Sequence, residues 1–253
     1  MQIAVIIPTY NEAENLPGLS SALFALPLDL RILIVDDNSP DGTGQVAERL
    51  AGQDRRINVV HRAGKLGLGT AYLEGFRRLL DSDTEAILQM DADLSHDPTR
   101  IVDMAKNLEI SDVVLGSRYV PGGSLDDKWP LWRKGLSAFA NTYAKTILSL
   151  PMADVTTGFR LWRHETLAGM PLDQIRSNGY VFLVEMIYLA HCLEYRIGEV
   201  PIHFAERRTG KSKMSLKIQA EASMRVWQVW WHYRNVRRIG RRARLSLSRP
   251  ASR

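Results

Sequence analysis

The stretch Ile87-Leu88-Gln89-Met90-Asp91-Ala92-Asp93 decides how this chain can fold, because an apolar run there ends in two carboxylates. This pattern is typical of a buried strand in a parallel sheet whose carboxyl end opens onto a ligand site. Carboxylate oxygens are the ligands that Mg²⁺ and similar cations prefer, often together with substrate phosphates. Asp91 and Asp93 are therefore candidate metal ligands in a nucleotide site.

The Asp-x-Asp sequence alone leaves two alternatives open. One is a turn or a solvated strand end without chemistry. The other is the opening of a phosphatase of the haloacid dehalogenase type, which Asp91-Ala92-Asp93-Leu94-Ser95 resembles. There the first aspartate is the nucleophile and the second a general acid. That motif normally ends the first strand of its fold, whereas several strand candidates precede Asp91, so we favour metal and nucleotide binding.

A second carboxylate pair, Asp36-Asp37, ends another apolar run, Ile32-Leu33-Ile34-Val35. Apolar runs alternate with helical patterns through the first half of the chain, which favours right-handed βαβ units. The carboxyl ends of such strands meet at one sheet edge, so the two acidic pairs predict a nucleotide site there.

The predicted class is α/β, with a mostly parallel central sheet flanked by helices. The predicted strands are Ile3–Pro8, Arg31–Asp36, Ile57–His61, Ala86–Met90, Asp112–Gly116, Gly158–Trp162 and Gly198–Phe204. The predicted helices are Glu12–Ala25, Gly44–Ala51, Gly69–Leu80, Pro98–Leu108 (with Asp97 as its N-cap), Trp129–Leu150, Phe182–Tyr195 and Leu216–Ile239.

The composition is that of an ordinary globular protein. The 253 residues are 45% hydrophobic and 24% charged, enough for one large domain with a sizeable core. The one cysteine, Cys192, lies in an apolar run, which predicts a buried and inert thiol. The start Met1–Val5 enters a strand at once, which predicts no signal peptide. We find no run of the roughly 18 apolar residues that a membrane-spanning helix needs.

The positive charge is concentrated at the C-terminus. Eight arginines follow Tyr233: Arg234, Arg237, Arg238, Arg241, Arg242, Arg244, Arg249 and Arg253. The other 25 basic residues face 28 acidic ones, so the rest of the chain is mildly acidic. Such a block of one sign predicts a solvated, partly disordered arm that attracts polyanions.

The glycine-rich segments do not form a cofactor fingerprint. Gly42–Ala47 fits G-x-G-x-x-A, but Asp37–Asp41 separates it from its strand, which argues against dinucleotide binding. Lys65–Gly69 lacks Walker spacing; its glycines would let the backbone approach a ligand closely.

Basic residues supply candidate phosphate contacts. Arg118 follows the apolar strand Val113–Leu115 and is placed to form a bidentate bond to phosphate, with a surface ion pair as the alternative. Arg207, Arg208, Lys211 and Lys213 surround Gly210 and suit a diphosphate leaving group, with a solvated face as the alternative.

Taken together, these segments resemble family 2 glycosyltransferases of the GT-A fold, specifically the dolichol- or polyprenol-phosphate mannose synthase group. The matching segments are Ile7–Glu12, Val35–Thr43, Lys65–Tyr72, Met90–His96, Gly116–Tyr119, Asp154–Arg160 and Arg207–Met214. They run in the family's order and cover nearly everything from Met1 to about Leu216.

The resemblance implies an inverting transfer of mannose from GDP-mannose to a polyprenyl phosphate, with Mg²⁺ or Mn²⁺ as cofactor. It implies that Asp91, Asp93, Arg118 and Arg207 carry the chemistry and that the two aspartates hold the metal. The implied nucleotide-sugar contacts are Pro8, Tyr10, Glu12, Val35, Asp37, Ala92, Ser95 and Lys213. The nearest alternative is the same reaction with another sugar, such as glucose from UDP-glucose.

The chemistry agrees with a phosphate acceptor. A phosphate monoester has a second pKa of about 6 and is largely dianionic at neutral pH, so the enzyme needs no strong general base. The Gln-x-x-Arg-Trp signature of processive polysaccharide synthases is absent from Gln228–Trp231. A non-catalytic nucleotide-sugar-binding regulator is disfavoured by the intact Asp91/Asp93 pair. A nucleic-acid-binding protein is disfavoured by the acidic body.

The C-terminal region departs from many bacterial relatives, which carry membrane-spanning helices there. We expect a catalytic domain over 1–215, an amphipathic helix over 216–239 and a basic tail over 240–253. Trp227, Trp230 and Trp231 next to the arginines favour a membrane surface. The expected location is the cytoplasmic face of a membrane, with a separate membrane protein as a further candidate anchor. The alternative is a helix packed on the domain with its tryptophans in the core.

Overall fold

The computed structural model describes residues 1–206, 223–234 and 236 of the chain. Its strands are β1 (Gln2–Thr9), β2 (Asp29–Asp36), β3 (Ile57–His61), β4 (Ala86–Gln89), β5 (Val113–Ser117), β6 (Ser124–Leu125), β7 (Arg160–Arg163), β8 (Ile197–Pro201) and β9 (His203–Phe204). Its helices are α1 (Leu16–Phe24), α2 (Thr43–Gln53), α3 (Leu68–Leu80), α4 (Arg100–Leu108), α5 (Leu131–Leu148), α6 (His164–Ala168), α7 (Gly179–Cys192) and α8 (223–234).

Seven of these strands form one mixed sheet in the order β3-β2-β1-β4-β7-β5-β8. All neighbours pair in parallel except β7, which runs antiparallel between β4 and β5. β2 and β4 flank β1 on either side and run in its direction. The two acidic segments that follow them therefore emerge at the same edge of the sheet, as the alternation of elements predicts.

The sheet is buried on both faces. One face packs against α1, α2 and α4, and Leu16, Ala47 and Ile101 are among the residues of that core. The other packs against α3, α5, α6, α7 and α8, and Phe76, Leu148 and Tyr233 are among the residues of that core. Burial on both sides explains why β1 and β4 read as nearly continuous apolar runs. Cys192 is buried and free, as expected.

The predicted elements differ from the observed ones in several places: α1 begins at Leu16 rather than Glu12, α7 begins at Gly179 rather than Phe182, and β6 and α6 are not among the predicted elements. The last strand is interrupted at Ile202, so that β8 stays in the main sheet and β9 pairs with β6. The short strand predicted over Gly158–Trp162 is displaced to Arg160–Arg163. Helix α4 begins at Arg100 rather than Pro98, because the Asp97 carboxylate accepts bonds from Thr99 and holds a preceding turn.

Helix α8 presents two different faces. Val226, Val229 and Tyr233 are buried in the domain core, whereas Trp227 and Trp231 are 51% and 60% exposed. The helix thus packs on the domain, but with Trp227 and Trp231 outside the core; attachment to a membrane surface stays a prediction. Across the residues that the structure describes, helices long and apolar enough to cross a bilayer are absent. The remainder of the expected helix and the tail over 240–253 lie outside the described residues.

Candidate active site

The loop after β4 holds the two carboxylates of the Asp-x-Asp sequence in different environments. Asp93 is buried, and its Oδ1 accepts bonds from the backbone N–H of Ser95 at 3.1 Å and from its hydroxyl at 2.5 Å. Leu94 between them takes a left-handed backbone with φ of 60°. The tight turn therefore fixes one oxygen of Asp93 and orients the carboxylate.

Asp91 is half-buried and lies between an aromatic residue and a glycine. The Tyr72 hydroxyl, fully buried on α3, donates to Asp91 Oδ1 at 3.4 Å. On the other side, a methyl group added to Gly158 would come within 3.6 Å of both carboxylate oxygens. Burial and the nearby Asp91 charge raise the pKa of Tyr72 well above its ordinary value, which keeps the phenol a donor.

A divalent cation fits this pair of side chains. The described residues contain no group of three or more His, Cys, Asp or Glu that could hold a metal by itself. Two carboxylates completed by substrate phosphate oxygens and water are the usual arrangement for Mg²⁺ in nucleotide sites. Asp91 and Asp93 are the residues that would hold the ion.

The same loop is attached to the second, two-stranded sheet. The His96 ring stacks on Phe159 with centroids 4.9 Å apart and meets the edge of Phe204 at 5.4 Å. The Ala205 N–H donates to the Ser95 carbonyl at 3.1 Å. Phe204 and Ala205 are thus held against the loop that carries Asp91 and Asp93.

The Asp36-Asp37 pair divides into two roles. Asp36 accepts bonds from the Thr9 hydroxyl at 3.0 Å and from the Ser39 hydroxyl at 2.6 Å, and so ties β1 to the loop after β2. Asp37 is buried and forms an ion pair with Arg62 at 2.5 Å. The sequence does not distinguish these roles, because both residues follow the same apolar run.

Asp37 also organises the glycine-rich segment, which we call the 65–69 loop. Its Oδ2 accepts the backbone N–H groups of Leu66 and Gly67, each at 3.1 Å. Gly67 has φ of 101°, a conformation that other residues rarely adopt. The loop therefore approaches the Asp37 carboxylate closely, and the close approach of its backbone to a ligand stays a prediction.

The other expected nucleotide contacts lie around this edge. Tyr10 follows β1, and the Lys65 ammonium lies 3.9 Å from the centre of its ring. Pro8 pairs in register with Val35, which is fully buried. The Glu12 carboxylate accepts a bond from Asn15 at 2.7 Å. Ala92 is buried between the two aspartates.

Arg118 lies at the end of β5 in a buried ion pair rather than a surface one. Its Nε and Nη2 donate to the two carboxylate oxygens of Asp154 at 2.7 and 2.9 Å, and Nη2 also donates to Thr156 at 2.8 Å. Burial alone would raise the pKa of Asp154, but the Arg118 charge and its hydrogen bonds outweigh this and hold that pKa below its ordinary value. Sequence reasoning assigned no role to Asp154.

The segment that carries Asp154 is held by residues that sequence reasoning did not single out. Glu199 on β8 accepts the backbone N–H groups of Ala153 and Asp154 at 2.8 and 3.0 Å. Asn141 on α5 accepts from Val155 at 2.9 Å. No local signal marks such residues, because each acts on backbone that is distant in sequence.

Arg160 places a second buried cation near the carboxylates. It donates to the carbonyl oxygens of Val155, Thr157 and Leu183, and burial lowers its pKa to about 9. On β7 it pairs in register with Gln89, two residues before Asp91. Arg160 lies in the segment Asp154–Arg160, which resembles the family, and this resemblance was the sequence signal that could have identified it.

Two expected site residues, Arg207 and Lys213, lie outside the described residues, as do Arg208 and Lys211 of the same basic cluster.

The mostly parallel sheet flanked by helices, with carboxylates after β2 and β4, is the architecture of the GT-A fold. A sequence profile described as "Glycosyl transferase family 2" matches residues 4–168. The chain belongs to that family and is a glycosyltransferase, so the phosphatase alternative for Asp91 and Asp93 is excluded.

Two curated relatives are similar over most of the chain. One, named undecaprenyl-phosphate mannosyltransferase, from Micrococcus luteus, is 42% identical over 247 residues, which are 98% of this chain and 100% of the relative. The other, named polyprenol monophosphomannose synthase, from Mycolicibacterium smegmatis, is 42% identical over 224 residues, which are 88% of this chain and 84% of the relative.

Solved structures share the fold at low sequence identity. Mannosyl-3-phosphoglycerate synthase from Rubrobacter xylanophilus has a TM-score of 0.64 at 19% identity, over 93% of this chain and 75% of that one. Glucosyl-3-phosphoglycerate synthase from Mycobacterium tuberculosis, in complex with Mn²⁺, UDP and phosphoglyceric acid, has a TM-score of 0.64 at 16% identity, over 90% of this chain and 76% of that one.

Proposed function

We propose that this protein transfers mannose from GDP-mannose to a polyprenyl phosphate of the dolichyl type, with inversion at the sugar carbon, giving polyprenyl phosphomannose. The observation that carries the proposal is the 42% identity to the Micrococcus luteus mannosyltransferase over the whole of that relative. The donor is proposed to bind at the edge formed by β1, β2 and β4, and the family resemblance supports this proposal.

The residues at this edge are proposed to bind different parts of the donor. Asp37 and the 65–69 loop hold the nucleoside, together with Tyr10 and the other residues of that edge. Asp91 and Asp93 orient the diphosphate and hold Mg²⁺ or Mn²⁺, which supplies charge stabilisation for the departing diphosphate when bound. Ser95 keeps Asp93 in place through its short hydrogen bond.

The acceptor needs cations rather than a base. Its phosphate oxygen is already charged at neutral pH, and the barrier lies in bringing it close to a second anion. Arg118 is proposed to contact phosphate through Nη1, since its Nε and Nη2 are bonded to Asp154 and Thr156. Arg207 and Lys213 are proposed as further phosphate contacts.

We propose that the protein works at the cytoplasmic face of a membrane without a spanning helix. Trp227 and Trp231 on α8 are exposed, and on α5 the apolar residues Leu131, Trp132 and Phe139 are 84%, 70% and 63% exposed. Aromatic side chains favour the bilayer interface, and the arginine-rich tail favours anionic lipid. A separate membrane protein as anchor is a further proposal.

The direct test incubates the purified protein with labelled GDP-mannose, polyprenyl phosphate and Mg²⁺. We expect label to move into the organic phase. The nearest competing function, transfer of glucose, is tested by the same assay with UDP-glucose; efficient transfer from UDP-glucose and none from GDP-mannose would overturn the sugar assignment.

A further inference from the structure

One side chain, that of Asn178, holds the 65–69 loop from across the fold. Its Oδ1 accepts the backbone N–H of Gly69 at 3.1 Å, and its Nδ2 donates to the Leu66 carbonyl at 3.1 Å. The contact is close enough that a methyl group added to Gly67 would lie 2.5 Å from Nδ2. These bonds join residues more than one hundred positions apart, so they fix the loop relative to α7.

The loop held by Asn178 is the one that Asp37 organises. Leu66 donates its N–H to Asp37 while its carbonyl accepts from Asn178. The peptide groups on either side of this residue are thereby held from two directions. A loss of the Asn178 bonds therefore leaves the loop held by Asp37 but no longer fixed to α7 through Asn178.

Asn178 is in turn held by a buried carboxylate. Glu185 on α7 is 1% exposed and accepts the backbone N–H groups of Arg176 at 3.2 Å and Ser177 at 2.7 Å, the two residues before Asn178. Asn178 also caps α7, since its Oδ1 accepts the Gly179 N–H at 2.8 Å. The position of Asn178 thus depends on Glu185.

The same carboxylate binds helix α8. The Tyr233 hydroxyl, on a fully buried side chain, donates to Glu185 Oε1 at 3.0 Å and lies 3.3 Å from the Gln174 carbonyl. Hydrogen bonds therefore connect α8 to Glu185, Glu185 to the backbone that leads into Asn178, and Asn178 to the 65–69 loop. Buried polar groups of this kind have few alternative partners, so their geometries depend on one another.

We propose that Asn178 is a positioning residue for the donor nucleotide and that α8 sets nucleotide affinity through Tyr233, Glu185 and Asn178. The inference rests on the proposed function in taking the Asp37 edge as the nucleoside site. Its consequence is that the face of α8 buried against the domain and the nucleotide site are energetically coupled. Because coupling between two sites is reciprocal, bound nucleotide also stabilises the packing of α8 against the domain.

The test measures GDP binding in the presence of Mg²⁺ by calorimetry on the full chain. We expect Asn178→Ala and Tyr233→Phe each to raise the Kd for GDP, by roughly 3- to 30-fold, the range of effects seen for coupled positions outside a ligand site. The double variant should cost less than the two single effects added, because both break the same set of bonds.

Tyr143→Phe is the matched control for Tyr233→Phe. The Tyr143 hydroxyl on α5 also binds α8, donating to the Ser223 carbonyl at 3.2 Å and accepting from Trp227 at 3.0 Å, but it has no bond to Glu185. We expect this variant to leave the Kd for GDP unchanged. Asn58→Ala, at an exposed position on β3, controls for Asn178→Ala.

Each outcome decides a different claim. If wild-type protein binds neither GDP nor GDP-mannose, the proposed function fails. If wild type binds and both test variants match it, the inference is overturned. Equal weakening by Tyr143→Phe and Tyr233→Phe would also overturn it, since it would show general loosening of α8. If Asn178→Ala does not fold, the comparison of Tyr233→Phe with Tyr143→Phe still tests the inference. Tyr233→Phe removes only the hydroxyl and keeps the aromatic ring that packs in the core.

Discussion

Arg118 and Asp154 form a bidentate ion pair in which both side chains are removed from solvent, with N–O distances of 2.7 and 2.9 Å. Such a pair is costly to break, because removal of one partner leaves a buried charge without compensation. An arginine that is expected to contact substrate is therefore also part of the framework of the site, and a loss of activity on its removal has two possible causes.

The stability effect of Arg118→Ala separates these causes. We expect a loss of about 3–5 kcal/mol in the free energy of unfolding, measured by urea denaturation. The double variant Arg118→Met/Asp154→Leu should recover much of this loss and remain inactive. Arg196→Ala, which breaks the exposed pair with Asp112, should cost less than about 1 kcal/mol. Recovery of activity in the double variant would contradict a phosphate contact by Arg118.

The same pair predicts a pH dependence of stability. The pKa of Asp154 is lower in the folded protein than in the unfolded chain, where it is about 3.9. Its stabilising contribution is therefore complete above about pH 4 and is lost as the pH falls through the folded-state pKa. Unfolding midpoints of wild type and Asp154→Asn should differ most at neutral pH and converge in acid. A constant difference down to pH 2 would contradict the assignment.

The metal pair gives the third prediction. Asp91→Ala and Asp93→Asn should each reduce transfer far more than tenfold, because several kcal/mol of barrier stabilisation are lost. Direct Mn²⁺ binding in the presence of GDP, measured by electron paramagnetic resonance, should weaken in parallel while thermal unfolding stays close to wild type. Retention of more than about a tenth of the activity would argue against a metal-bridging role.

Most of the strand arrangement that forms this site is predictable from local sequence. The long-range contacts that hold the strands and loops in place are not. Apolar runs that end in Asp36-Asp37 and in Asp91-Ala92-Asp93 predict parallel strands and a shared edge, because burial on both faces leaves a clear pattern. The antiparallel β7 is different. It is placed by long-range contacts such as the bond from Trp162 to Gln89, a buried pair at 2.7 Å that no spacing rule reveals.

The residues that hold the proposed nucleotide-binding edge in place show the same limit. Asn178 and Glu185 act on backbone groups that the fold brings to them, and the sequence pattern predicts this helix only from Phe182, after Asn178. The opposite faces of α8 could be foreseen as two alternatives, but the choice for each residue depends on how the helix docks. Tyr233 is buried and Trp231 exposed, since residues two positions apart on a helix point in nearly opposite directions.

The acceptor predicts the pH profile of the reaction. If the attacking group is a phosphate dianion, the rate should rise with pH through about 6, near its second pKa, and then stay level until the enzyme itself fails. Single-turnover rates across pH 5 to 9 measure this. A rise through about 7 to 8 that disappears when one carboxylate is mutated would indicate a hydroxyl acceptor and a protein base.

The arginine-rich tail is expected to contribute to binding of anionic lipid surfaces. The chain beyond Tyr233 carries eight arginines and no acidic residue. Each basic residue near an anionic surface contributes about 1 kcal/mol, and salt screens the attraction. Truncation after Tyr233 keeps the Glu185 bond, so we expect unchanged GDP-mannose affinity but weaker sedimentation with anionic vesicles. Activity on long-chain polyprenyl phosphate in vesicles should fall more than activity on a short soluble analogue.

The exposed apolar residues add a part of this binding that salt does not screen. Trp132→Ser and Phe139→Ser on α5 should weaken binding to neutral and anionic vesicles alike, because burial of apolar surface does not depend on lipid charge. The truncated protein should lose only the component that is abolished by high salt. Leu66→Ser is the control for loss of an exposed apolar side chain. Leu66 lies on the 65–69 loop beside Asp37 rather than on α5, so we expect the vesicle binding of this variant to be unchanged. Equal vesicle binding by truncated and full-length protein at low salt would show that the arginines contribute nothing, and unchanged binding by the α5 variants would place the lipid contact elsewhere.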